Sequence, residues 1–133
     1  MLARMRRGER GQSLIEMALV SGLLLLILAG VLDIGRAFNN YIIITNASRE
    51  GARYASRFPF DAGGIQQAAI QEAASSGVTL TGGNVAIAGL NGTGGSPIRV
   101  TITYQFSTVM SGILGFDQLT LVSSTEMVIF GLD

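Results

Sequence analysis

Residues 14–32 read LIEMALVSGLLLLILAGVL, with Glu16 the one charge in the run. As a helix rising 1.5 Å per residue, this stretch is roughly 28 Å long, close to the ~30 Å hydrocarbon core of a bilayer. Residues 23–28, LLLLIL, are apolar on every helical face, unlike an amphipathic helix lying on a surface. The run reads as a membrane-spanning segment in contact with the lipid bilayer. A removable secretory signal would carry a shorter apolar core ending in a small-x-small site. Asp33-Ile34-Gly35-Arg36 offers no such site, and Arg6-Arg7 lacks the apolar context of a twin-arginine signal.

Charge sets the expected orientation. The first eleven residues hold four arginines against one glutamate, while the rest of the chain holds five arginines against eight acids. Only Arg36 and Arg49 follow the span closely enough to count in the positive-inside comparison. The N-terminus is therefore expected in the cytoplasm, with residues 33–133 forming an extracytoplasmic domain.

The helical pattern continues past the span. Ile34, Phe38, Tyr41, Ile42, Thr45, Ala52 and Ala55 recur mostly at three- and four-residue steps. Pro59 ends it, because the residue before a proline is pushed out of helical geometry. One helix over residues 12–57 would be roughly 69 Å long. Its lower part, 12–32, would lie in lipid, and its continuation, 33–57, would need a partner for an apolar stripe. Asp61 can cap a second helix, expected over residues 64–76, with Ile65, Ala68, Ala69 and Ala73 buried and Gly77 as a stop. From residue 78 to 130 the pattern turns to strands. Residues 78–81 and 84–90 are short β-prone runs, and residues 91–97 (NGTGGSP) are a loop by composition. Residues 98–106 alternate cleanly, with Ile98, Val100, Ile102, Tyr104 and Phe106 on one face. A connection with a helical turn follows, then a last strand over 119–130. Its alternation weakens at residues 123–125, as a bulge would cause. A sheet with one greasy face needs a cover, and the outer half of the long helix is the available one. The fold expected is α+β, a half-embedded helical rod packed on a small antiparallel sheet.

The chain has no cysteine and no histidine. That removes disulfide scaffolds, thiolate chemistry, histidine bases and the usual zinc ligands. Asp61, Glu72, Asp117, Glu126 and Asp133 show no spacing that suggests paired acids. Gly82-Gly83 and Gly94-Gly95 are turns, since neither precedes a helix bearing the pattern of a phosphate cradle. The expectation is a protein that is not an enzyme, needs no metal or cofactor and does not bind nucleic acid, since the chain beyond the leader is acidic.

Three places in the sequence resemble one family. A short basic leader ends in Gly11 and is followed by Gln12-Ser13-Leu14-Ile15-Glu16 and a long apolar helix. Residues 46–55 read NASREGARYA, and residues 98–106 read IRVTITYQF. Together they are similar to TadE/TadF-like minor pilins, type IV pilin-like proteins of tight-adherence (Tad/Flp) pili. The resemblance implies a type IV pilin-like fold and a structural subunit of a Tad pilus in the bacterial inner membrane. It also implies cleavage by a prepilin peptidase between Gly11 and Gln12, with residues 1–11 as the cytoplasmic leader and the apolar helix retained. The partners implied are the peptidase, other pilin subunits and the inner-membrane assembly platform. One departure is local: relatives commonly carry a proline near Ser21-Gly22, and this chain has none.

The resemblance gives Glu16 a purpose. A carboxylate inside a span costs up to about 2.5–3.5 kcal/mol at the bilayer centre and less near the end. Cleavage would create an α-amine on Gln12, four residues earlier and on the same helix face. Glu16 could neutralise that amine or receive the amine of a neighbouring subunit, setting register during assembly. Ala18 and Gly22 form a small-xxx-small pair suited to close helix contact. Arg49, Arg53 and Arg57 form a basic stripe that is either a docking surface or a solvated helix face. The alternative function is an uncleaved single-span anchor presenting a binding domain outside the cell.

Overall fold

The computed structural model describes residues 6–115 and 118–130. Helix α1 spans Arg6–Ala55, and helix α2 spans Ala62–Ser75. Strand β1 is Val85–Ala88, β2 is Pro97–Phe106, a one-turn helix α3 is Ser111–Leu114, and β3 is Leu119–Val128. The strands form one antiparallel sheet in the order β1-β2-β3. The architecture is the α+β arrangement expected, a long apolar N-terminal helix with a small three-stranded sheet.

α1 begins before Gln12, so Gly11 lies within continuous helix. At its other end, Ser56 and Phe58 still bond back to the carbonyls of Ala52 and Tyr54, and Pro59 follows. The helix ends at Ala55, which leaves Arg57 in the turn rather than on the rod. α2 starts where its cap dictates. The Asp61 carboxylate accepts from Gly64 N–H at 2.9 Å and from the Tyr54 hydroxyl at 2.9 Å, tying the α2 start to the last turn of α1. Gly77, at φ 89°, turns the chain out of α2 in the left-handed region where a side chain would be strained.

Residues 78–81 are not a strand. Val78 and Leu80 are buried, but they plug the core from a connection that passes through a short turn at Gly82–Asn84 before β1. Asn84 fixes that turn by accepting from Thr81 N–H at 2.8 Å and donating to the Thr103 carbonyl at 2.9 Å. Strand pairing therefore starts only at Val85, opposite Ile102.

The core lies between α1, α2 and the inner sheet face. Ile43, Ile44, Ala47, Ala52 and Ala55 of α1 meet Ile65, Ala69 and Ala73 of α2 and Ile98, Val100 and Ile102 of β2. The alternation in β2 is realised, with Ile98, Val100, Ile102 and Phe106 buried and Tyr104 half-buried. β3 pairs with β2 in unbroken register from Pro97–Val128 to Phe106–Leu119, so the expected bulge is absent. Hydrophobic alternation weakens at residues 123–125 for another reason. Ser123 and Thr125 point inward with Leu121 and Met127, and they meet hydroxyls on α1 rather than apolar side chains.

Candidate functional site

The apolar segment of α1 stands clear of the rest of the protein. Leu14, Ile15, Leu19, Leu23, Leu24, Leu25 and Leu28 are all exposed, and none of the most apolar stretch of the helix is buried inside the protein. A side chain that is greasy and uncovered in an isolated chain needs another apolar medium. Among the described residues, one helix is long and apolar enough to cross a membrane. Gly11, Gln12 and Glu16 lie along its first turns, all exposed. The helix places Gln12 and Glu16 one turn apart on the same face. Ala18 and Gly22 fall in a shallow apolar groove with Leu19, Leu23, Leu25, Leu26 and Ala29. No side chain of the described residues comes near Gly22, so the groove is open to a neighbour.

Above the span, the apolar stripe divides into two faces. Ile43, Ile44, Ala47, Ala52 and Ala55 turn to the sheet and α2. Ile34, Phe38, Tyr41 and Ile42 do not, and Ile34 and Phe38 are 72% and 66% exposed. The single stripe read from the sequence is therefore half core and half uncovered surface. Ile27, Val31, Ile34, Phe38 and Tyr41 follow one another at four- and three-residue steps, so the uncovered face continues the face of the span.

The arginine stripe is not one surface. Arg53 is engaged by Glu50 through two contacts, Nε to Oε2 at 3.0 Å and a terminal guanidinium nitrogen to Oε1 at 2.7 Å. Arg49 is exposed on the helix, and Arg57 sits in the turn after it. Phe58, Phe60 and Phe130, which the sequence did not mark out, are exposed. Phe130 N–H donates to the Ser56 carbonyl at 2.9 Å, which holds the end of the sheet against the end of α1.

Asp33 is the residue whose importance the sequence hid. It is one of four buried polar side chains among the described residues, and its two oxygens accept from Val109 N–H at 2.8 Å and Met110 N–H at 2.9 Å. Those bonds, with help from Arg36 at 3.6 Å, hold its carboxyl below the usual range against the opposing pull of burial. Arg36 in turn lies over the Phe106 ring, 5.1 Å from its centroid. The arrangement clasps the connection between β2 and β3 to α1 one residue above the apolar run.

A second buried polar group lies between α1 and the sheet. Ser48 Oγ is 2.7 Å from Thr125 Oγ1 and 3.4 Å from Ser123 Oγ, and Ser123 bonds Thr45 Oγ1 at 3.0 Å. Convergent polar residues on the sheet are what an enzyme reading would need. These are all hydroxyls, however, with no carboxylate or amine among them to activate one, and they satisfy each other within the core. Their geometry is that of a helix-to-sheet latch.

Residues 11–53 match a family model described as TadE-like protein. The matched segment covers the start of the exposed helix, Glu16, the clasp residue Asp33 and most of the face that packs on the sheet. It relates this helix to a structural, Tad-pilus-related family. No curated protein and no solved structure gives a match.

Proposed function

We propose, from a chain whose long helix is TadE-like, that the protein is a non-enzymatic, pilin-like structural subunit, a minor pilin of a Tad-type pilus assembly. It inserts with its N-terminus in the cytoplasm, is cut by prepilin peptidase between Gly11 and Gln12, and then joins other subunits through α1 at the inner-membrane assembly platform. The observation that carries this reading is the uncovered face Phe38, Tyr41 and Ile42 on the part of the helix beyond the apolar run. A simple anchor needs greasy residues only within the bilayer. A subunit that leaves the bilayer for a filament needs them above it too, where lipid cannot cover them and another helix can. The open groove at Ala18 and Gly22 supports the same reading, since small residues let helix backbones approach closely.

Glu16 has a role in this scheme that exists only after cleavage. The Gln12 α-amine, with an ordinary pKa of about 7.7–8.0, would be largely cationic at neutral pH. It lies within one helical turn of Glu16, or within reach of Glu16 on a neighbour. The deciding experiment measures two things separately in a peptidase-competent cell. Mass spectrometry of the membrane-extracted protein should find Gln12 as the mature N-terminus. Glu16→Gln should still be cut but should enter pili poorly. An intact leader would sink the pilin reading in favour of an uncleaved anchor, and unchanged incorporation would remove the register role of Glu16.

A further inference from the structure

The apolar run contains a stretch that is not uniformly exposed. Leu26, Ala29 and Gly30 are half-buried while Leu23, Leu24, Leu25, Ile27 and Leu28 are open. At Gly30 the covering group is the connection between β2 and β3: a Cβ built there would lie 3.3 Å from Met110 Sδ. Gly30 is two residues inside the end of the run, so the Met110 side chain reaches down about 3 Å past that end along the helix axis, while its backbone stays level with Asp33. Asp33 holds it there through the Val109 and Met110 N–H groups.

The chemistry of this loop suits a low-dielectric setting. At membrane depth, backbone polar groups must find partners within the protein. Here Val109 and Met110 N–H go to Asp33, Ser111 Oγ–H donates to the Thr108 carbonyl at 2.8 Å, and Gly115 N–H donates to the Ser111 carbonyl at 3.0 Å. Val109 meanwhile is 56% exposed, an apolar side chain on the surface of the loop.

We propose that residues 108–112 form a second membrane-contacting element, seated in the interfacial layer of the bilayer beside the last turns of the span, with Val109 in contact with lipid. This rests on the membrane reading of residues 14–32 and adds a feature that a single-span protein does not need. A helix alone leaves the ectodomain free to swivel and tilt about its emergence point. A second contact, clasped by Asp33, fixes which face of the domain meets the membrane and the height at which β2 and β3 stand above it. The occupant is lipid because the loop is held at Asp33, one residue beyond the apolar run, with Met110 reaching back to Gly30, and an exposed apolar side chain at that height meets the interfacial layer.

The protein has no tryptophan, so one introduced residue reports one position. Full-length Val109→Trp, reconstituted at low protein-to-lipid ratio in phosphatidylcholine–phosphatidylglycerol vesicles, is compared with Leu25→Trp in the span and Phe130→Trp at the exposed distal end. Val109→Trp should show blue-shifted emission, loss of intensity with lipids brominated near the headgroup, and weak iodide quenching. Leu25→Trp should respond most to deeper bromines, and Phe130→Trp to iodide alone. Asp33→Ala in the Val109→Trp background should restore iodide access, and lipid quenching that persists unchanged would overturn the part assigned to the clasp. Iodide access at Val109→Trp with Leu25→Trp still quenched by lipid would overturn the loop contact while leaving the span intact. Shielding from both lipid bromines and iodide would overturn it in favour of cover by protein. If Leu25→Trp itself escapes lipid quenching, the span reading fails and the loop has no bilayer to enter.

Discussion

The two halves of α1 share one backbone and differ in what their side chains are shaped to meet. Between residues 14 and 32 the helix carries leucine, isoleucine and valine on all sides, and almost all are exposed. From Ile43 onward the buried positions shrink to Ala47, Ser48, Gly51, Ala52 and Ala55. The lower half is apolar enough to cross a membrane, and lipid is fluid and conforms to any apolar shape, so a helix built for it needs only greasiness. A sheet and a second helix are close-packed solids, so the upper half needs small residues at the contact. Gly51 shows how close that contact is: a Cβ there would lie 3.2 Å from both Ala69 Cβ on α2 and Val100 Cγ1 on β2.

That contrast can be broken most forcefully by deleting volume on each side. Ile102 is fully buried, and Ile102→Ala should lower the stability of the helix–sheet core by about 2–5 kcal/mol. Leu24, exposed on the lower half, should tolerate Leu24→Ala with no change in unfolding of the helix–sheet core. Denaturant melts in detergent micelles, followed by circular dichroism, test the pair. Equal losses would mean that the halves are not energetically separate. Adding volume is the converse. Gly51→Leu should cost about 1–3 kcal/mol through overpacking, despite leucine's better helix propensity. The same substitution at Gly22, where nothing lies within 4 Å, should leave the melt unchanged. It would instead affect contact with a neighbouring helix.

The same comparison explains what could be read from the sequence. The span, the cap at Asp61, the β2 alternation and the α+β arrangement depend on local periodicity and composition, which a linear reading captures. Three features depend on what meets a residue across the fold. Ser123 and Thr125 look like a break in a strand pattern until Ser48 and Thr45 are placed opposite them. The stripe Ile34-Phe38-Tyr41-Ile42 looks like core until the sheet is seen to cover the adjacent face instead. Asp33 looks like the polar end of a span, because its partners are backbone N–H groups at Val109 and Met110 that no side-chain pattern announces. In the candidate site, the family-like motif around Gly11 and Glu16 was legible, whereas the clasp was not.

The hydroxyl latch sharpens the contrast on a smaller scale. Ser48→Ala removes the residue to which Thr125 bonds through its side chain at 2.7 Å, and should cost about 1–3 kcal/mol. Ser48→Ala combined with Thr125→Val removes both ends and should recover much of that loss, since no unsatisfied hydroxyl is left behind. A double-mutant cycle in the same melts measures the coupling. Strict additivity would show that the two residues do not interact.

The smallest effect expected belongs to Asp33, at the boundary between the halves, and pH isolates it. Its pKa is lowered from the ordinary 3.8, first by the Val109 N–H bond and then by the Met110 N–H bond and Arg36. A carboxyl with a depressed folded pKa contributes stability that is present above its unfolded value. That stability is lost as pH falls through the folded one. Asp61 is lowered in the same direction by Gly64 N–H and the Tyr54 hydroxyl, so wild-type stability alone cannot apportion the acid loss. The difference between wild type and Asp33→Asn can, because Asp61 is common to both and cancels. That difference should be greatest at neutral pH, begin to shrink as pH falls below about 5, and level off once Asp33 is protonated in both the folded and the unfolded chain. A difference that stays constant across this range would mean that Asp33 holds the loop by shape alone.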